Sequence, residues 1–395
     1  MDSQDAARLK AFVERFRVEP GRKVELKKDY DPGYTAGLSK PENVDAVLGR
    51  AIEFIAEHQD KLYAESKRGL LIILQAMDAA GKDGVIKHVM SGINPQGVEV
   101  YSFKAPSPEE LDHDYMWRNF KALPERGRIG IFNRSYYEET LVVRVHPGIL
   151  QGQNLPPELM DDGIWHRRFE EMNNFERYLV NNGIDVIKIF LNVSKEEQRQ
   201  RLLARIDTPE KNWKVSSGDA KERQYWDKYQ ECFNDIFTHT STDCAPWYVV
   251  PADHKWFTRV VTAAIVANKL AEMNPQYPAV TEAMRAQIEE AKRILESEPD
   301  AAKADEKSEK SAKKAAKKAA KAEAKAEAEA AAKAADLAKV RSTLQTIVTA
   351  DDGGKHKKNK AAKNGQADGV VAVAPAAAVE SSDKSDKKKK KKDKS

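Results

Sequence analysis

Residues 70–90 read LLIILQAMDAAGKDGVIKHVM. The run LLIILQAM carries no charge and leads directly into a glycine-bearing turn. An uninterrupted apolar run bounded by a turn marks a strand covered on both faces, which is how strands of a parallel sheet are written. The turn approximates the phosphate-loop pattern G-x-x-x-x-G-K-[ST] with two departures. Ala76 stands at the first glycine, and Asp83 stands where a magnesium-binding hydroxyl would be.

Working outward, VEVYSF (98–103), RIGIF (128–132), DVIKIFLNV (185–193) and APWYVVP (245–251) are further short runs rich in β-branched and aromatic residues. Helical patterns fall between them, at 107–121, 136–145, 161–182, 195–206 and 219–240. Another precedes them at 42–66, where Val44, Val47, Leu48, Ile52, Ile55 and Leu62 recur at spacings of three and four. A last one, around 255–274, closes the series. Alternating strands and helices predict an α/β domain with a parallel sheet flanked by helices. It should span 42–275, preceded by an N-terminal arm (1–41) whose residues 15–40 are polar and turn-rich.

The chain then changes character. The stretch 280–296 has the pattern of an exposed helix. The wider segment 276–345 is dominated by Ala, Lys and Glu, with high helix propensity and almost no apolar stripe. Residues 346–395 end in DKSDKKKKKKDKS, a composition that predicts a disordered basic tail. Residues 296–395 hold 25 Lys and Arg against 17 Asp and Glu; with the whole chain at +4, the first 295 residues carry −4. A mildly acidic body does not suggest a nucleic-acid-binding fold, although a local basic cleft fits within that average, and the basic tail is a second expected contact for polyanions.

Cys232 and Cys244 form no C-x-x-C pair, so ordinary reduced thiols are expected. The first residues, MDSQDAARLKAFVERF, lack the apolar region of a secretory signal, and no apolar run is long enough for a bilayer. The expected location is cytoplasmic.

The chemistry gathers at three places. In an α/β sheet, ligands bind beyond the carboxyl ends of the strands. The turn 76–84 lies there, and the amides of Ala79, Ala80, Gly81, Asp83 and Gly84 would face an anion at a helix N-terminus. Gly81 permits close approach, Gly84 would bring helix and strand together, and Lys82 supplies a point charge. Asp78 and Asp83 would repel a phosphate unless a cation sat between them, and Mg²⁺ is the hard ion that takes carboxylates, water and phosphate oxygens together. Asp78 is the better ligand, because Asp83 also reads as a first-turn acid favoured by the helix dipole.

The second place is FNRSYYEETLVVRVH (132–146), where Asn133, Arg134 and Glu138 follow a strand end. Asn133 can only coordinate a metal neutrally or hydrogen-bond its water. Arg134 offers a planar fork to phosphoryl oxygens, or else pairs with Glu138 four residues on. The third is RQRLLARIDTPEKNWKVSSGDAKER (199–223), where Arg199, Arg201, Arg205, Lys211, Lys214 and Arg223 crowd a segment broken by Pro209 and Gly218. That suits a helical lid closing over phosphates, although such a charge run also describes a solvated surface. No histidine pairing suggests zinc, and no G-x-S-x-G elbow appears.

AMDAAGKDG, DYMWR and the FNRSYY…VVRVH stretch together resemble the polyphosphate kinase 2 family, over about residues 15–275. The form of these motifs is similar to the subgroup, class III, that phosphorylates both nucleoside mono- and diphosphates. The family's commoner strand end is D-R-S, and Asn133 replaces its Asp. The resemblance implies a thymidylate-kinase-like fold with a helical lid, and Mg²⁺-aided phosphoryl transfer between inorganic polyphosphate and adenine or guanine nucleotides. It also implies a homo-oligomer. By position it makes Asp78 and Lys82 the essential loop residues and Arg118 of DYMWR a nucleotide- or phosphate-side arginine. Two other readings stay open: a nucleoside monophosphate kinase that uses ATP, and an inactive polyanion- or nucleic-acid-binding protein.

Overall fold

The computed structural model describes residues 3–40 and 44–297; the expected low-complexity tail lies outside them. Five parallel strands form one sheet: β1 (Gly69–Ala76), β2 (Val98–Ser102), β3 (Ile129–Asn133), β4 (Ile184–Asn192) and β5 (Trp247–Pro251). Their order is β2-β3-β1-β4-β5. β1 and β4 are buried along their lengths, as a central parallel strand must be when helices cover both faces. The connection leaving β1 runs to one edge of the sheet and that leaving β4 to the other. The carboxyl end of β1 therefore lies where the strand order reverses and a crevice opens.

On one face the helix Lys255–Met273 packs against Ser3–Glu14, Val44–Glu65 and Lys82–Val89. The helices Ile164–Asn181 and Trp226–Thr240 pack on one another elsewhere, the first of them against β4. The arm is not loose. The Val18 amide donates to Trp247 O (2.9 Å) and the Val249 amide to Phe16 O (2.8 Å), so residues 16–18 run along the outer edge of β5. Phe12, Val13, Phe16, Val18, Val24 and Leu26 are all buried.

Two expected helices are corrected. The stretch 107–121 divides into Pro108–Leu111 and Trp117–Lys121. Ser107 and Glu110 form a capping box that starts the first piece, and Asp114 accepts from the Met116 amide (2.9 Å) where the second begins. The stretch 136–145 is a 3₁₀ segment, Tyr136–Thr140, followed by a single α turn, Val142–Val145. Tyr136 and Tyr137 are pinned there, both hydroxyls donating to Glu176 Oε1 (2.8 Å each). The other oxygen of Glu176 pairs with Lys188, and both side chains are wholly buried. Lys188 also donates to Thr240 O (2.6 Å) and to the Tyr137 hydroxyl (3.0 Å).

The helix Glu282–Glu296, capped by Thr281, buries no residue. Cys232 and Cys244 are free thiols. Among the described residues no helix is long and apolar enough to cross a membrane.

Candidate active site

β1 ends at Ala76, and the chain turns through Met77 to Gly81. The Ala80 amide donates to Met77 O (3.3 Å), with Ala79 at φ +60° and Gly81 at φ +114°. Only glycine takes the latter without strain, so Gly81 is required by the turn. The Val85 amide is the first to find a helical partner, Gly81 O (2.9 Å). The amides of Lys82, Asp83 and Gly84 precede it at the positive end of the helix. A Cβ added at Gly84 would meet nothing within 4 Å. The expected packing role of Gly84 is thus corrected: it leaves the first helical turn bare.

Lys82 donates to Ala76 O (3.0 Å), which folds its ammonium back over the turn. Burial pushes this ammonium down to about 8; the neighbouring Arg134 adds to the effect, and Asp78, Glu138 and Asp83 oppose it. In the free site the charged ammonium is therefore poorly solvated. A bound anion should restore the proton, so tripolyphosphate binding in metal-free buffer should take up protons near pH 8.5 and weaken as pH rises through about 8. Calorimetry in two buffers of different ionisation heat measures this. Heats that do not depend on the buffer would mean that Lys82 is not the group. For folding the sign is opposite: the penalty of the charged lysine is full below about 8 and is relieved between there and 10.5.

Asn133 ends β3 beside Leu74 of β1. Arg134 follows at φ +65°, its amide held by Leu74 O (3.0 Å). Its guanidinium donates to Asp78 Oδ1 (2.6 Å) and lies 3.5 Å from Glu138 Oε2. The pairing with Glu138 exists, but the tighter contact is to Asp78. Asp83 accepts from Asn133 Nδ2 (2.9 Å) and from Lys214 Nζ (3.3 Å). Although desolvation works the other way, these two hydrogen bonds hold its carboxyl below the usual range. Each acid of the turn thus already has a cationic partner from the chain. Among the described residues no three His, Cys, Asp or Glu side chains come together to hold a metal ion. What the turn offers a hard cation is two partly exposed carboxylates, at 35% and 71% side-chain exposure.

A cleft of about 760 Å³ opens over the turn. Its walls include Asp78, Gly81, Lys82, Asp83, Asn133 and Arg134, all anticipated from sequence. From the expected lid come Arg205, Lys211 and Lys214. Sequence reasoning missed Ser102, Phe103 and Lys104, although their position just past β2 at the carboxyl edge was signal enough. It also missed Trp213 and Asp219 as lining residues. Trp213 is 78% exposed. Burial and the nearby Asp78 push the Asp219 carboxyl upward.

Four expected arginine ligands lie elsewhere. Arg199 pairs with Glu196 on the exposed side of its helix (2.7 Å) and does not line the cleft. Arg201 is buried and spends its donors on backbone carbonyls, two of them in the turn, Ala79 and Ala80. Arg118 donates to Lys104 O (2.7 Å) and lies over the Phe103 ring, backing the cleft wall while lining a neighbouring cavity of about 220 Å³. Arg223 lines a third cavity, about 210 Å³, on the other side of Asp78 and Arg134, together with Glu138 and Tyr229.

A cleft that presents helix-end amides and a lysine at the reversal point of a parallel sheet is the form of a P-loop phosphotransferase. Comparison with known proteins narrows the class. The chain belongs to the polyphosphate kinase 2 family, whose sequence model matches residues 38–278. It is 47% identical over 291 residues to an ADP-polyphosphate phosphotransferase of Rhodopseudomonas palustris, covering 73% of this chain and 99% of the relative. It is 42% identical over 270 residues to an AMP/ADP-polyphosphate phosphotransferase of Meiothermus ruber, covering 67% and 96%. Among solved structures it is similar to polyphosphate kinase 2 from Arthrobacter aurescens TC1. That match has a TM-score of 0.63 at 39% identity and covers 71% of this chain and 96% of the other.

Proposed function

We propose that this chain is a cytoplasmic, Mg²⁺-dependent kinase that transfers phosphoryl groups from inorganic polyphosphate to nucleoside mono- and diphosphates, converting AMP to ADP and ADP to ATP. The observation that carries the reading is the cleft at the end of β1. Lys82, Lys104, Lys211 and Lys214 reach it from three separate segments, and such a spread of cations suits a chain of phosphates. The names of the R. palustris and M. ruber relatives support the same substrates.

The domain 42–275 holds the reaction, with 199–223 as its lid. The terminal phosphoryl group of polyphosphate rests on the amides of residues 81–84 and on Lys82. A nucleotide phosphate oxygen attacks that phosphorus in line. The new P–O bond forms as the bond to the next phosphate breaks, and the shortened chain leaves with those electrons. Lys82 and Arg134 neutralise the equatorial oxygens, which is most of what this chemistry asks of a protein. Arg205, Lys211 and Lys214 hold the donor chain. No proton need be removed, because the acceptor phosphate is already anionic; no histidine among the described residues lines the cleft.

The hard oxygen donors of the turn fit Mg²⁺, and Asp78 is the carboxylate that would hold it, sharing its oxygens with Arg134. When bound, the ion would supply positive charge that offsets the negative charge of the phosphates. A homo-oligomer is the proposed assembly.

The deciding experiment supplies the purified chain with AMP or ADP and either polyphosphate or ATP as donor, with and without Mg²⁺. Polyphosphate should support formation of both ADP and ATP, and chelation should stop it. ADP made from AMP with ATP as donor but not with polyphosphate would overturn the reading in favour of an ordinary nucleotide kinase.

A further inference from the structure

The helix Lys195–Ile206 carries the lid, and two of its side chains also grip the phosphate loop. Gln198 and Arg201 stand three residues apart, on one face of that helix. Gln198 Nε2 donates to Asp78 O (2.9 Å). Arg201 Nη1 donates to Ala80 O (2.6 Å) and Ala79 O (3.4 Å). Its Nη2 donates to Ala252 O (2.6 Å) and Asp253 O (3.2 Å), just past β5, and its Nε to Glu197 (2.8 Å). Gln198 is 2% exposed and the Arg201 side chain 8%. In a planar peptide the C=O and the following N–H point in opposite directions. Drawing the carbonyls of residues 78, 79 and 80 toward this helix therefore turns the amides of 79 to 81 away from it; the Ala80 amide is taken by Met77 O (3.3 Å), and the Gly81 amide is the first of the set 81–84 assigned to phosphate.

The far end of Gln198 is held from the other side of the lid. Arg223, which follows the helix Ser217–Glu222, donates to Gln198 Oε1 and to Lys195 O (2.9 Å). Arg205, one turn beyond Arg201, pairs with Asp219 of that same short helix (3.1 Å). The C-terminal part of the lid is thus tied twice to the helix that sets the direction of the loop's peptides.

The geometry points to Gln198, Arg201 and Arg223 as positioning residues that couple seating of the lid to the shape of the phosphate loop and, through the Ala80 carbonyl, to the direction of the Gly81 amide. Seating the lid engages Arg223 on Gln198, and Gln198 holds Asp78 O. Arg201 fixes the next two peptides against the end of β5. The inference rests on the phosphotransfer reading. A wild-type chain that makes no ATP from polyphosphate and ADP sinks that reading; an active wild type with unaffected variants sinks this one.

The test measures turnover of the full chain with polyphosphate and ADP, alongside melting temperatures. Arg201→Ala should lower kcat by about 10²-fold, as a misplaced loop does, with a much smaller change in KM for ADP. Guanidinium ion should restore part of the loss, and an equal concentration of NaCl should not. Gln198→Ala and Arg223→Ala should each lower kcat by roughly tenfold, and the double variant should be no worse than the worse single one, because both break one relay. Losses that multiply in the double variant, or wild-type kcat in Arg201→Ala, overturn the proposal. Should Arg201→Ala fail to fold, the Gln198 and Arg223 cycle decides alone.

Discussion

Lys82→Ala should lower kcat by about 10²-fold or more, the scale of losing one preorganised charge at a transferring group. The ammonium is held over the turn by Ala76 O, its proton is weakened by burial, and the cleft it faces is the one in which the phosphoryl group is proposed to sit. Because Lys82 also holds the bound phosphate before reaction, its removal should raise KM for polyphosphate as well as lower kcat, so that kcat/KM falls by more than kcat. Lys82→Arg should not restore the activity, because a planar fork cannot take the place of a compact ammonium over so tight a turn. Near-normal turnover in Lys82→Ala would remove the loop from the chemistry.

The second large effect is at Arg134. Removing it takes away one phosphoryl-side cation and also leaves Asp78 without its 2.6 Å partner, a bare carboxylate next to a polyanion. Arg134→Gly is the cleaner variant, since glycine accepts φ +65° freely and the turn should keep its shape. Its kcat should fall by about 10²- to 10³-fold while the melting temperature moves by only a few degrees. Equal loss of activity and of folded protein would mean that Arg134 serves the fold rather than the reaction.

Much of this arrangement was legible in the chain. Four strands announce themselves as mainly apolar runs, because a parallel sheet covered on both faces tolerates little else; β2, half exposed at the edge, shows instead by its β-branched and aromatic residues. The loop was legible through its lysine and glycine, and the Arg134 turn through its place after β3. What was not legible has particular causes. The helix expected at 136–145 failed because Tyr136 and Tyr137 are fixed by a long-range contact to Glu176, which local periodicity does not register. The lid arginines were read as one group, yet a helical wheel separates them. Arg201 and Arg205 share a face with Gln198, whereas Arg199 points away toward Glu196 and water. The acids of the turn were expected to need a foreign cation between them. Arg134 and Lys214, distant in sequence, take up part of that role.

The interior pair of Lys188 and Glu176 has an implication for how such a chain diversifies. Neutralising either member alone strands a dehydrated charge in the core, at a cost of about 3–5 kcal/mol, and exchanging both for apolar residues leaves the buried hydroxyls of Tyr136 and Tyr137 without their acceptor unless they change too. Tyr136 and Tyr137 hang from the same glutamate, and Arg134 precedes them by two residues. The two positions are therefore locked in epistasis. Lineages can cross from the charged solution to an oily one only by a joint step, and until they do, the backbone leading out of β3 keeps a shape set by the bonds of Tyr136 and Tyr137 to that buried pair.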